Sequence, residues 1–398
     1  MIIGDKFESL VLFLLNVYIF FLSTTNWNAG LSISAGLLTL IAGYVYFSKK
    51  STIQWKEKNF LYAFGFFTAM VVLASFLSGT KNGRTAIKLF SYSMPMFLFY
   101  FLLQRKDQRI AKLWPGLLAG LWVLNGYGIR QLFQHGLSQR VHGPVASPNT
   151  YAMVLEVVIP WLIFEAIKYR RNHQVGRYIL SLVTVVVSTM LLFTSFSRGG
   201  IIGFLIGGIG VFLVQKLAQR EWCIPRIVGL FCVLIFILTG LFFKTAAFYN
   251  NRSYDGERKL LWTSAYHMWA DHKVCGVGIS TWNTVYRQKY ILPGAREPGL
   301  MLPHNNIADF FSATGTLGGI GYLVFMGYTF YLLLKKRYDE PDNNYLLVMF
   351  WITTAFFIHG MVDNTMFSKY GLRLYYALWG ITLASFAYKN NMIDGDKE

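Results

Sequence analysis

Arginine is the residue type best fitted to phosphate, because its planar fork stays charged and donates two parallel hydrogen bonds. Three arginines of this chain sit where an apolar sequence has no need of them. Arg198 lies in "LLFTSFSRGGIIGF", with barely a turn between two apolar runs. An ionisable group at that depth is costly and tends to face a cavity or a partner. Ser195, Ser197 and the amides of Gly199 and Gly200 are candidate further donors around one anion. The plainer alternative is an arginine reaching from a helix end to the membrane surface. Arg258 opens "RKLLWTSAYHMWADH", whose spacing of Leu260, Leu261, Trp262 and Tyr266 predicts a helix over 256–270. Arg258 is expected in its first turn, where backbone amides also meet anions. Arg140 precedes the Gly/Pro turn of "VHGPVASPN".

His304 is the candidate proton acceptor. Histidine titrates near neutral pH, and in "LMLPHNNIADFFSATG" it follows Pro303 at the threshold of a long apolar run. Asn305 and Asn306 are suited to cap the helix that starts there. A lone histidine is more often a satisfied structural residue, and that reading stays open. Asp309, five residues on, is a candidate to orient the imidazole, although a helical turn takes only about 3.6 residues. The segment "VDNTMFSKYGLR" is expected to bring Asp363, Lys369 and Arg373 to the same side.

Several chemistries lack their motif. The seven histidines include no HExxH or similar metal spacing, and no DxD or ExD pair falls on the side of the arginines. "DGD" at 394–396 lies in a polar tail. No P-loop, GxGxxG or GxSxG is present, so nucleotide-driven and serine-hydrolase chemistry have no support. Cys223, Cys232 and Cys275 form neither a disulfide framework nor a zinc site. No cofactor is implied.

The elements that must hold these residues are membrane helices. The chain has 398 residues, 54% of them hydrophobic and only 14% charged, against about 25% charged in soluble domains. Apolar runs of transmembrane length recur throughout. Twelve spans are predicted, near 9–25, 29–47, 59–78, 88–103, 113–131, 149–167, 178–195, 200–215, 227–244, 306–334, 345–362 and 372–388. The fifth, with "NGYG" and an early Pro115, allows a kink; glycines of the eighth allow close helix packing. The first run reads as a helix rather than a cleavable leader, since Lys6 is its only basic residue.

The net charge of +18 would suggest nucleic acid in a soluble protein, but here it sorts by side of the membrane. Cations concentrate in alternate connections, such as "QRKDQRIAK" and "KYRRNHQVGR", which puts both termini in the cytoplasm. Residues 245–305 then form one long external loop, expected to be folded. The division is 1–244 as an N-terminal bundle of about nine helices, 245–305 as the external catalytic loop, and 306–398 as C-terminal helices and cytoplasmic tail. Arg252, Lys259, Arg287, Lys289 and Arg296 also fall outside, opposed in the loop only by Asp255, Glu257, Asp271 and Glu297. Some of these cations are equally suited to lipid headgroups.

In family order, "RVHGPVASPNTYA", "SFSRGG", "GERKLLWTSAYHMWADHKVCGVG" and "PHNNIADFFSATGTLGGIGY" resemble the O-antigen ligase/polymerase superfamily of bacterial envelope glycosyltransferases. The resemblance covers most of the chain. It implies a GT-C-like fold in the inner membrane, a periplasmic active site and an undecaprenyl-diphosphate-linked glycan donor. It also implies an essential histidine, matched by His304, and essential arginines, matched by Arg198 and Arg258; Arg140 matches a further family position. The sequence departs from some relatives in lacking an acidic residue just after His-Asn. The expected reaction is transfer to lipid A–core or another glycan acceptor, with His304 taking the acceptor proton and the arginines meeting charge on the diphosphate. Ligase is the reading adopted. A polymerase of the same superfamily is the alternative. A flippase would favour internal repeats and ionisable residues within helices, and neither is evident.

Overall fold

A computed structural model describes residues 5–25, 27–49, 57–103, 110–145, 147–218, 254–295, 299–341 and 343–395. The span expected at 227–244, with Cys223, Cys232, Arg252 and Arg296, lies outside the described residues. Those described are mostly helical, with no strand among them. The helices are α1 (Asp5–Thr24), α2 (Asn28–Lys49), α3 (Lys58–Leu77), α4 (Thr80–Phe90), α5 (Met94–Leu103), α6 (Trp114–His135), α7 (Pro148–Arg171), α8 (Val175–Thr194), α9 (Arg198–Ala218), α10 (Tyr254–Asp271), α11 (Trp282–Val285), α12 (Asn306–Asp339), α13 (Asn344–His359) and α14 (Lys369–Gly395). Among the described residues, eight segments are long and apolar enough to cross a membrane, α4 and α5 counting together, and α13 is a shorter apolar helix. The chain is an all-α polytopic membrane protein.

Local chemistry sets the boundaries. Ser147 caps α7 by accepting from Asn149 N, with Pro148 at the first position, where a missing N–H costs nothing. Pro115 likewise sits in the first turn of α6, so that helix needs no break there. The fourth span differs from its expected start at 88. It begins at Thr80 and passes through a 3-10 turn at Ser91–Ser93 before Pro95, which cannot donate to the preceding turn. The added residues bring buried Asn82 onto the segment around 280, where it accepts from Ser280 N at 2.9 Å and Ser280 Oγ at 2.6 Å.

The glycines of α9 do what their spacing allowed. A Cβ on Gly203 would lie 2.5 Å from the Ala355 carbonyl oxygen, and one on Gly207 would be 2.5 Å from the Trp351 ring. Helix α9 therefore runs hard against α13, and Trp351 Nε1 donates to Phe204 O at 2.7 Å. Small side chains give this close approach in lipid, where burial of apolar surface supplies little drive.

The segment 254–295 has an apolar cluster of its own, built on Leu261, Met268, Trp282, Tyr286 and Tyr290. It is pinned to a break in α12. Gly315 has φ 64° and ψ −164°, outside helical values. The groups freed there are taken up by the chain at 273–278. Val277 N and Gly278 N donate to Ser312 O and Ala313 O at 2.9 and 2.8 Å, and Thr316 N donates to Lys273 O at 2.7 Å. Trp282 and Trp269 add indole hydrogen bonds to Ser312 Oγ and Thr316 Oγ1. Broken helix at membrane depth is tolerated only where other protein groups satisfy it. Gly276 and Gly315 permit the backbones to touch, since a Cβ on either would come within 2.5 Å of main-chain atoms.

Candidate active site

One cavity of about 210 Å³ gathers Arg140, Arg198, Arg258 and His304, together with Asn149, Ser197, Glu257, His359 and Asp363. Five helix ends or turns build it. Arg198 is the first residue of α9, and Arg140 and Asn149 come from the α6–α7 connection and the start of α7. Arg258 comes from α10, His304 from the approach to α12, and Asp363 from the turn after α13. The expectation for Arg258 needs correcting. Helix α10 extends back to Tyr254, so Arg258 lies beyond its first turn and owes its place to the side chain, not to neighbouring free amides.

His304 is held in the left-handed region at φ 54°, which costs a non-glycine residue roughly 1–2 kcal/mol. Its neighbours fix that geometry. Pro303 O accepts from Trp262 Nε1 at 3.0 Å, and Asn305 Nδ2 donates to Met361 O at 2.8 Å. Asn305 also caps α12, accepting from Ala308 N at 3.0 Å. Asn306 does not cap; its buried amide donates to Thr365 Oγ1 at 2.7 Å and to Tyr322 OH at 3.3 Å.

The carboxylate that orients His304 is Asp363, not Asp309. Imidazole Nδ1 lies 2.9 Å from Asp363 Oδ1. Asp309 is fully buried with no hydrogen-bond partner for either oxygen, as the mismatch between five residues and one helical turn allowed. Asp363 Oδ1 also accepts from Asn364 N at 2.8 Å, and its Oδ2 from Asn149 Nδ2 at 2.5 Å. Burial favours the neutral acid, but the hydrogen bond and charge of His304, with the His359 charge and the Asn364 amide, outweigh it. They hold the Asp363 carboxyl well below the usual carboxylate range. An ionised Asp363 accepts the Nδ1 proton and leaves His304 Nε2 as the basic nitrogen. His304 is one-third exposed.

Arg140 lines the cavity, yet much of its guanidinium is turned to protein. Nε donates to Ser195 O at 2.8 Å and Nη2 to Asn149 Oδ1 at 2.6 Å. A continuous chain thus runs from Arg140 through Asn149 and Asp363 to His304. Ser195 and Ser197, expected as donors to an anion, are buried and bonded to protein. Ser195 Oγ donates to Leu192 O, and Ser197 Oγ lies 3.4 Å from His359 Nε2. Gly199 does line the cavity, at a helix N-terminus where first-turn amides lack intrahelical acceptors.

Lys369 lies over the Tyr370 ring and Arg373 over Tyr92, and neither lines the cavity. Sequence reasoning noted Asp363 only as lying on the same side and passed over Asn149, Glu156 and His359. The signal available was weak: Asn149 and His359 each sit at a helix end, but nothing in spacing pairs positions more than 200 residues apart.

Residues 183–323 match the family model described as O-Antigen ligase. No curated protein matches the chain. Arg198, Arg258 and His304 lie inside the matched stretch, whereas Arg140, Asn149, His359 and Asp363 lie outside it and complete the same cavity. The stretch from 183 to 323 is thus similar to the O-antigen ligase family, and this match supports the O-antigen ligase/polymerase superfamily.

Proposed function

We propose that this protein is an O-antigen ligase, moving polysaccharide from undecaprenyl diphosphate to a sugar hydroxyl of lipid A–core. The family match at 183–323 implies a glycosyltransferase-like enzyme of the O-antigen pathway. The observation that carries the finer reading is the pairing of His304 with Asp363 inside a cavity that also holds Arg198 and Arg258.

The donor's diphosphate sits against Arg198, Arg258 and the amino end of α9, where guanidinium forks and free amides favour an anion. The acceptor hydroxyl lies at His304 Nε2. As its oxygen attacks the anomeric carbon, Nε2 takes its proton and Asp363 stabilises the imidazolium that forms. The bond from the anomeric carbon to diphosphate oxygen breaks, its electrons staying on the diphosphate. The arginines meet that charge, a form of preorganised electrostatic stabilisation, so the step calls for no metal ion and no nucleotide. One direct displacement inverts the anomeric centre. Arg140 serves as a positioning residue, holding Asn149 against Asp363, rather than as part of the diphosphate clamp. The charge pattern of the connections supports a cavity on the periplasmic face of the inner membrane, with both termini cytoplasmic and 245–305 as the external loop.

The test is the glycan profile of a deletion strain. A ligase leaves bare lipid A–core while long polymer stays on undecaprenyl diphosphate, and restoring the gene moves that polymer to the core. Core capped with a single repeat and no long lipid-linked polymer replaces ligase by polymerase. Repeats held on the cytoplasmic face point to a flippase.

A further inference from the structure

At the wall of the cavity, through His359, lies a second carboxylate–imidazole pair that the transfer step does not use. Glu156, in the middle of α7, is fully buried, and His359, the last residue of α13, is 1% exposed. His359 Nδ1 reaches both Glu156 oxygens, at 3.0 and 3.1 Å. On the other side of the ring, Nε2 lies 3.4 Å from the Ser197 hydroxyl oxygen. A buried pair of this kind is expensive to desolvate and adds little stability over an apolar replacement. Its position in the fold gives it another use.

The imidazole packs against the first turn of α9. A Cβ on Gly199 would come within 2.8 Å of His359 Cδ2, and one on Gly200 within 3.3 Å of His359 Cε1. Glycine at both places lets the Arg198 turn rest on the ring. Phe196, just before it, is left-handed at φ 50°, so the turn is held in a conformation it would not keep by itself. His359 and Gly360 anchor the other half of the site. Asp363 N donates to His359 O at 2.9 Å, and Gly360 O accepts from Asn306 N at 2.7 Å. The end of α13 therefore touches the Arg198 turn on one side and the Asp363–His304 couple on the other, and Glu156 fixes it to α7.

We infer that the Glu156–His359 pair is a positioning device that sets Arg198 against the Asp363–His304 couple, so that the diphosphate site and the proton-accepting site keep one spacing. The inference rests on the proposed transferase reading of the cavity and deepens it. His359 acts through Arg198 and touches no reacting atom.

The test uses the full chain in lipid nanodiscs with farnesyl diphosphate as the probe, its binding compared across a double-mutant cycle. His359→Ala is expected to weaken binding about fivefold or more in the parent and to add almost nothing in an Arg198→Ala background, because its effect passes through Arg198. Equal losses in both backgrounds make His359 a general packing residue and overturn the inference, as does a loss below twofold in the parent. If His359→Ala does not fold, Gly199→Ala replaces it. That change keeps both members of the pair but sets a methyl against the His359 ring and Val362, so that the turn must shift, and the same dependence on Arg198 is expected. Glu156→Gln, which keeps size and loses charge, should fall between parent and His359→Ala. If Arg198→Ala itself leaves farnesyl diphosphate binding unchanged, the reading of the cavity fails, an outcome distinct from failure of the positioning role.

Discussion

Replacing Asp363 by Asn changes one oxygen to an NH2 group and leaves the volume almost untouched, yet the site has no good place for that group. Oδ1 accepts from His304 Nδ1 and Asn364 N, and Oδ2 accepts from Asn149 Nδ2. With the amide nitrogen at the Oδ2 position, it faces the Asn149 donor. Turning Asn149 over is blocked, because its oxygen accepts from Arg140. With the nitrogen at the Oδ1 position, it faces Asn364 N–H and forces His304 Nδ1 to accept, so that Nε2 carries the proton and ceases to be a base. Either way one buried donor loses its partner, at about 1–3 kcal/mol. The imidazolium also loses its counter-charge. Transfer should fall about 10²–10⁴-fold, the usual range for a disabled acid–base residue, which is about 3–5 kcal/mol of barrier. The assay is the initial rate of glycan transfer from undecaprenyl diphosphate to lipid A–core by purified variants in nanodiscs, with thermal unfolding measured alongside. A folded Asp363→Asn variant working within threefold of the parent refutes the dyad. The same carboxylate makes an acid-side prediction. Its folded pKa is depressed, so its contribution to stability is complete above the unfolded value, about 3.9. That contribution is lost as pH falls through the lower folded value. The Asp363→Asn variant should lack this part of the acid-induced loss.

Arg198→Lys and Arg258→Lys should each retain charge but lose the two-pronged geometry and most transfer activity; full activity of both in the same transfer assay reduces them to surface charge. Asp309→Asn should leave transfer within a few-fold of the parent, since that carboxyl makes no hydrogen bond to protein; a loss as deep as that of Asp363→Asn would show that Asp309 has been misjudged. Gly315→Ala should lower the unfolding temperature and detach the 254–295 segment, because its Cβ would meet the Val274 carbonyl oxygen at 2.2 Å. Limited proteolysis between 272 and 295 reads that detachment, and unchanged protection contradicts the account of the α12 break.

The positions of the helices were legible in the sequence because a membrane helix needs only a local property, a run of about 20 apolar residues. Arg198 was legible for the same reason: a cation with barely a turn on either side of it is visible in one line of sequence. The cap at Asn305, the glycine face of α9 and the folded character of 254–295 are also short-range. The partner of His304 was not. Asp309 was near in sequence and Asp363 was 59 residues away, and only the packing of α13 beside α12 decided between them. Arg140 was recognised as a cation but not as a tether, since its acceptors are fixed by how α8 and α7 meet. The Glu156–His359 pair joins positions 203 residues apart, in helices that read on their own as ordinary spans. Composition and periodicity determine which segments enter the membrane, because each segment exchanges water for lipid one residue at a time. Which polar side chains then meet depends on the crossing of several helices at once, and that only the tertiary structure decides.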